Sequence, residues 1–508
     1  MREINTIGVA GAGAMGRGIA QIAAQAGITV RLYDVQEAAV AAARDSLQAI
    51  WQKLVAKGRM TADDADAALQ RVVACPRLEG MADADLVVEA IVERLEIKGD
   101  LFRQLEGIVG AECILASNTS SLSITAIAAA CERPERVVGY HFFNPVPLMK
   151  VVEVIDGVRS DPNHGDTLMA LARRMGHTPV RARDMPGFIV NHGGRGMNIE
   201  GLKAVQECVT SFQGVDTIMR EQAGFRMGPF ELMDLTGLDV SHPVMESIYQ
   251  QFYNEPRFRP SPITALRMAG GLLGRKTGAG FYSYADGQKA VAPEPTVPAS
   301  PEGLTVWVAP YHSTGHRRAA ALLRELGVEP STSEQPPRDA LIVVTPYGED
   351  TATVVADYQL DGRRTVALDT FFGLEAGKRR VLMCCAATAP QWRDAAHALF
   401  ASDGSPVSLI ADSAGFVAQR MVAAIINVAC DIAQQGIASP EDIDLAISLG
   451  LGYPGGGPLS LGDTLGPAHV LDILRGMHRT TGDMRYRSSL WLQRRVQLGM
   501  SLRTPAAS

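Results

Sequence analysis

The sequence lacks any run of about 18 apolar residues free of charge, so it offers no membrane-spanning helix. It also lacks a CxxC pair and any Cys/His ligand spacing. Its seven cysteines, Cys75, Cys113, Cys131, Cys208, Cys384, Cys385 and Cys430, are odd in number and scattered. That excludes a disulfide framework, points to free thiols in a reducing compartment, and gives no reason to expect a metal. A basic excess is missing too: 48 Lys and Arg stand against 55 Asp and Glu, a net charge of −7. A nucleic-acid partner needs a positive face, so none is expected. The first strand pattern begins so close to Met1 that no signal or transit peptide fits ahead of it. The expectation is a cytoplasmic protein with no membrane and no nucleic-acid partner.

With 46% hydrophobic and 20% charged residues, the composition is that of an ordinary globular protein. A length of 508 residues exceeds one compact core and suggests about two to four domains.

The opening residues carry the strongest local signal. Residues 4–10 read as a short buried strand that runs into GAGAMGRGIAQIAAQAG, a glycine turn followed by a helical pattern. The next segment, ITVRLYD, reads as a second strand ending on Asp34. Gly11, Gly13 and Gly16 form GxGxxG in the strand–turn–helix setting that gives the motif its meaning, with Ala14 and Met15 between them. Gly11 suits the tight turn, Gly13 the approach of a pyrophosphate, and Gly16 close packing of helix on strand. Asp34 lies 18 residues beyond Gly16 and has no arginine immediately after it. A carboxylate there accepts ribose hydroxyls and repels a 2′-phosphate, so NAD is expected over NADP.

Further strands are expected at 85–90, 113–117 and 137–143, with helical patterns between them. The alternation gives an α/β class with a doubly wound, mainly parallel sheet. The charged stretch around residues 63–70 reads as an inserted helical hairpin.

Two adjacent segments break local rules. VVGYHFFNPVP ends an apolar strand with His141, and MKVVEVI places Glu153 inside another. A carboxylate in an apolar strand is costly without a partner, and His141 is on the other arm of the turn. Paired, Glu153 orients the imidazole and makes His141 a general base near neutral pH. Ser120 and Ser121 come just after the strand CILAS. They either hold a substrate hydroxyl or cap the next helix.

Taken in order, GAGAMGRGIA, DLVVEAIVERLEIK, SNTSSLSIT, HFFNPVPLMKVVEV, PGFIVN and GRKTGAGFY resemble the L-3-hydroxyacyl-CoA dehydrogenase family over residues 4–284. The resemblance implies a Rossmann NAD domain followed by an all-helical domain for substrate and dimerisation. It implies catalytic roles for His141, Glu153, Ser120 and Asn191, and NAD contacts from Glu93, Lys98, Ser120, Asn144 and Lys276. Lys57 and Ser120 would meet the acyl-CoA substrate. The implied reaction is NAD-dependent oxidation of an (S)-3-hydroxyacyl-CoA to the 3-oxoacyl-CoA, in degradation of fatty acids or of aromatic acids of the phenylacetate type. The chain departs from the family at His192–Gly193–Gly194, where two glycines would loosen a helical turn by about 1 kcal/mol each.

Beyond the Pro-rich stretch 291–303 the sequence repeats itself. DSAGFVAQRMVAA at Asp412 echoes DMPGFIVNHGGRG at Asp184, an offset of 412 − 184 = 228. Gln419 stands where the first copy has Asn191, so the second copy reads as structural. Residues between the copies suggest a reduced Rossmann-like domain without a complete GxGxxG. The expected domains are 1–184 (NAD binding), 185–285 (helical), 300–404 (reduced Rossmann-like) and 405–508 (second helical copy). This order resembles the long bacterial branch of the family. In short members the helical domain pairs between subunits, so the second copy supplies that partner within one chain, or the chain forms a homodimer. The rival enzyme reading is a β-hydroxyacid dehydrogenase acting on free acids, a class with a lysine-based proton shuttle. The non-enzymatic rival is a structural protein that binds NAD.

Overall fold

A computed structural model describes residues 2–299 and 301–506. The expected domain limits at Met1, Ser300 and Ser508 lie outside those residues. The chain separates into two compact units, Met1–His192 with Gln435–Gly452, and Gly193–Gln434 with Tyr453–Ser508. No helix among the described residues is long and apolar enough to cross a membrane.

The first unit is built on eight strands: β1 (Thr6–Ala10), β2 (Thr29–Tyr33), β3 (Val72–Ala74), β4 (Leu86–Glu89), β5 (Ile114–Ser117), β6 (Val137–Phe142), β7 (Val151–Asp156) and β8 (Thr178–Arg183). Their order is β3-β2-β1-β4-β5-β6-β7-β8, parallel except where β6 meets β7. Strand order reverses between β1 and β4, which opens a crevice beyond their C-terminal ends. Helices cover both faces, so β4, β5 and β6 are buried throughout and read as continuous apolar runs. The helical hairpin expected near residue 63 is present as Glu37–Ala56 and Ala62–Arg71, the second helix capped by the Thr61 hydroxyl.

The second unit carries five strands, after a short hairpin of β9 (Tyr284–Ala285) and β10 (Gln288–Lys289): β11 (Thr305–Val308), β12 (Ala340–Val344), β13 (Thr365–Leu368), β14 (Arg380–Cys384) and β15 (Val407–Ala411). They lie in sequence order and are parallel except at β13–β14. This is the order and direction of β4 to β8. The register agrees as well. His141 faces Glu153 across β6–β7, and the Asp369 N–H donates to the Val381 carbonyl across β13–β14. The offsets are 369 − 141 = 228 and 381 − 153 = 228, those of the helical repeat. The duplication therefore reaches back through the α/β segment, and of the eight-stranded sheet only the β1-to-β3 half has no second copy. β15 also runs past the expected boundary at residue 404.

The two copies exchange arms, which is why the compact units do not coincide with the expected domain limits. Past the end of β8, the Arg183 N–H donates to the Ile437 carbonyl at 2.8 Å, and Gly450 of the Pro440–Leu451 helix lies against Val190 and Val151. In the second unit, the Ala411 N–H donates to the Val209 carbonyl at 3.0 Å. The offsets again match, 437 − 209 = 228. Each sheet is closed by a segment of the other copy.

Helices Arg195–Gln206 and Val417–Gln434 form the centre of the second unit. They touch at Gly196, where a Cβ would lie 2.8 Å from the Ile425 Cα and 2.9 Å from its nitrogen. The buried Arg420 guanidinium crosses the same contact, with Nε on Glu200 at 2.7 Å and Nη1 on Ser413 at 2.8 Å. The glycines of the His192–Gly193–Gly194 departure end one helical turn, Val190–Gly193, before the next helix begins at Arg195. Because backbone cannot move aside as a side chain can, Gly196→Ala should destabilise the protein by about 1–3 kcal/mol. Thermal unfolding checks this, and an unchanged melting temperature would mean the helices can separate freely.

Candidate active site

Each glycine of the first turn has a distinct steric reason. Gly11 has φ +107°, and a Cβ there would meet the Ala90 carbonyl oxygen at 2.5 Å. At Gly16 a Cβ would fall 1.8 Å from the Gly11 oxygen, so this helix can start here only on glycine. Gly13 caps the Ala14–Gln25 helix, and a Cβ on it would point into open space. That open approach to a helix N-terminus is what a pyrophosphate requires. Beside it lies a cavity of about 510 Å³ bordered by Gly11, Gly13, Asp34, Val92, Ile97 and Leu101. Asp34 is fixed by the Ala12 N–H at 2.8 Å and the Gln36 N–H at 2.9 Å. The residues present therefore fit a dinucleotide.

At the C-terminal end of the same sheet the expected pair is formed. His141 Nδ1 lies 2.6 Å from Glu153 Oε2, and both side chains are buried. The antiparallel β6–β7 ladder places them directly opposite, on one face. The other Glu153 oxygen accepts the Ile189 and Val190 N–H groups, each at 2.9 Å. The buried carboxylate thus meets three partners, one on Oε2 and two on Oε1. It fixes the imidazole with Nδ1 as donor, leaving Nε2 able to take a proton. Phe143 and Phe188 flank the ring at 4.4 and 5.9 Å.

Asn191 comes next after Val190, and its amide donates to the Ser120 carbonyl at 3.2 Å. One bonded path thus joins His141, Glu153, Asn191 and Ser120. The helix-capping use falls to a third serine. Ser123 caps the Ile124–Ala128 helix, while Ser120 and Ser121 turn their N–H groups to Glu93 Oε1 at 2.9 and 3.2 Å. Burial alone would push the Glu93 carboxyl up, but Lys98 and the donors of Thr119, Ser120 and Ser121 outweigh it and hold it below the usual carboxylate range.

Lys98, expected at the cofactor, is buried with Nζ 2.8 and 2.7 Å from the two Glu89 oxygens and 3.2 Å from Glu93. A lysine so enclosed positions Glu93. Asn144 is exposed in the β6–β7 turn, and Lys57 is exposed at the end of the Glu37–Ala56 helix. Lys276 belongs to the second unit, where it pairs with Asp239. Sequence reasoning missed Glu89 and Ser117, whose hydroxyl donates to Glu89. It also missed Asn118, whose oxygen accepts the Phe142 N–H at 2.8 Å, next along the strand from His141. Glu89 was visible as a carboxylate at the end of an apolar strand, the signal that exposed Glu153.

The second copy keeps the flanking rings, as Phe371 and Phe416, but not the polar residues His141, Glu153 and Asn191. Asp369 stands at the place of His141, Val381 at that of Glu153 and Gln419 at that of Asn191. Gln419 donates to Asp369 at 2.9 Å and to the Pro346 carbonyl at 3.2 Å, while Gln222 donates to Asp369 at 3.0 Å. Burial pushes the Asp369 carboxyl up to about 6 against these donors. The group is a packed polar knot, with neither a histidine–carboxylate pair nor a GxGxxG turn in its sheet among the described residues.

Comparison with known proteins agrees with this division. Residues 6–185 match the 3-hydroxyacyl-CoA dehydrogenase NAD binding domain, and the C-terminal domain of that family matches twice, at 187–284 and 415–506. The 3-hydroxyadipyl-CoA dehydrogenase of Escherichia coli K12 is 37% identical over 500 residues, covering 98% of both chains. A probable 3-hydroxybutyryl-CoA dehydrogenase of Deinococcus radiodurans is 43% identical over 277 residues, 54% of this chain and 99% of its own. The crystal structure of 3-hydroxybutyryl-CoA dehydrogenase from E. coli K12 superposes with a TM-score of 0.86 at 35% identity, over 98% of this chain and 99% of that one. NAD is the cofactor that the matched N-terminal domain binds. With both family domains matched and one relative similar from end to end, the chain belongs to the 3-hydroxyacyl-CoA dehydrogenase family.

Proposed function

We propose that the chain oxidises the 3-hydroxyl of an (S)-3-hydroxyacyl-CoA to the 3-oxo group, with His141 as the base. The observation that carries this reading is the buried His141–Glu153 pair at the strand ends of an NAD-binding sheet. The names of the relatives, 3-hydroxyadipyl-CoA and 3-hydroxybutyryl-CoA dehydrogenase, support an acyl-CoA substrate with a short or dicarboxylic chain. The free-acid alternative has no support, since the base position holds a histidine and Lys98 is enclosed by carboxylates.

In this mechanism His141 Nε2 takes the proton of the 3-hydroxyl while the C3–H bond releases its electron pair with the hydrogen. When bound, NAD supplies the nicotinamide ring that accepts this hydride. The imidazolium formed on His141 is stabilised by Glu153, whose charge is anchored by the Ile189 and Val190 N–H groups. Ser120 donates its hydroxyl hydrogen to the reacting oxygen as negative charge grows there. Asn191 holds the Ser120 backbone and anchors the substrate near the thioester. Glu93 and Asn144 line the cofactor side, and Lys57 offers a positive charge to the coenzyme A phosphates.

Wild-type protein should turn over 3-hydroxyacyl-CoA thioesters and leave the free acids untouched. His141→Gln should lower kcat by about two to four orders of magnitude with NAD binding retained. Near-normal turnover in that folded variant, measured by NADH absorbance, would overturn the assignment of the base. Cofactor choice rests on Asp34: kcat/KM should favour NAD over NADP, and Asp34→Ala should narrow the ratio. A wild-type preference for NADP would contradict it. The two copies give a third comparison. Asn191→Ala should cost about 10² in kcat, whereas Gln419→Ala should leave kcat intact and lower only the melting temperature. A large kcat loss from Gln419→Ala would show that the second copy takes part in the reaction.

A further inference from the structure

Outside the active site, three metal-ligating side chains converge in the second unit. His312 sits in the turn after β11 and caps the Ser313–Glu325 helix. His469 and Asp472 lie one turn apart at the start of the Pro467–Thr481 helix, on the same face. One nitrogen from each histidine and one Asp472 oxygen all fall within 4.8 Å of one another.

The surroundings prepare these groups to ligate. The His312 ring is stacked on Tyr347 at 3.9 Å and 22°, which fixes its plane. Its Nδ1 accepts the Gly315 N–H at 3.1 Å, so in the neutral ring the proton sits on Nε2. His469 Nδ1 is buried with no hydrogen-bond partner among the described residues, an orphan that a structure does not leave without cost. The set is also peculiar to the second copy. Counting from the capping glycines Gly237 and Gly466, the first copy has Val240 and Pro243 where the second has His469 and Asp472. Neither Val240 nor Pro243 can bind a metal through its side chain, so the cluster is no relic of the active site.

We propose that His312, His469 and Asp472 form a binding site for one divalent cation of the Zn²⁺ type. Two imidazoles and one carboxylate are the donors such an ion favours, and water completes a tetrahedral set. Coordination through His312 Nε2 moves the ring proton to Nδ1 and gives up the Gly315 contact in exchange for a metal bond. The nearby Arg318 tempers affinity, although its guanidinium is committed to the Thr370 and Phe371 carbonyls. The bound ion clamps the turn after β11 to the Pro467–Thr481 helix.

The test uses the full-length protein after chelator treatment. Titration with Zn²⁺ alone should show one saturable equivalent and a raised melting temperature. Co²⁺ in its place should give visible bands of a nitrogen and oxygen site without thiolate charge transfer. Asp472→Asn, an exposed change that does not threaten folding, should weaken binding at least about tenfold, and His469→Asn should abolish it. Turnover of 3-hydroxyacyl-CoA should stay at the wild-type level in both variants. No saturable binding, a thiolate signature, or an affinity unchanged in both variants would overturn the proposal.

Discussion

Glu153 is a carboxylate taken wholly out of water, a state that costs several kcal/mol unless both oxygens are paired. The pairing it finds dictates much of the first unit. Oε2 needs His141 opposite, which requires β7 to run antiparallel to β6 in this register. Oε1 needs the Ile189 and Val190 N–H groups, which brings the start of a helical turn under the sheet edge and carries Asn191 to the Ser120 carbonyl. A second buried carboxylate, Glu89, does the same on the cofactor side by holding Lys98, which in turn holds Glu93 under the serine turn. Two anions thus set the geometry of the site, one beneath His141 and one beneath the serines.

In the second copy that requirement has lapsed. With Val381 in place of Glu153, nothing demands a histidine opposite, and Asp369 occupies its position with amide donors of Gln419 and Gln222 around it. Gln222 comes from the first copy's helical segment, so the replacement holds the exchanged arm onto the second sheet. The backbone register survived while the side chains changed task. Strand pairing is fixed by burial of apolar faces and tolerates such change; proton transfer does not.

Much of the first unit was legible because its signals are local. The three glycines, Asp34 and the alternation of strands and helices lie within one stretch of chain, and His141 and Glu153 betray themselves as polar residues in apolar strands. The repeat was legible where helices kept their sequence, from Asp184 and Asp412 onward. It was invisible across β11 to β15, because the residues that would have marked it, His141 and Glu153, are replaced there by Asp369 and Val381. The exchange of arms could not be read either, since a backbone hydrogen bond from Arg183 to Ile437 leaves no trace in the sequence of either segment. The enclosure of Lys98 was hidden for a related reason: a lysine beside a cofactor motif looks the same whether it faces outward or is enclosed by Glu89. His312 and His469 are 469 − 312 = 157 positions apart, far beyond any spacing that composition or motif would flag.

The arm that closes β8 has a bearing on how the protein is made. Arg183 waits for Ile437, which comes 437 − 183 = 254 residues later. At ribosomal speeds of about 5–20 residues per second, that gap is roughly 10–50 s. Throughout that interval the nascent sheet shows an unpaired edge and the apolar side chains of Val151 and Val190 to the surrounding solution. Exposed edges of this kind recruit other chains. The sheet that carries the His141–Glu153 pair therefore keeps one edge open until a segment 437 − 183 = 254 residues downstream has been made.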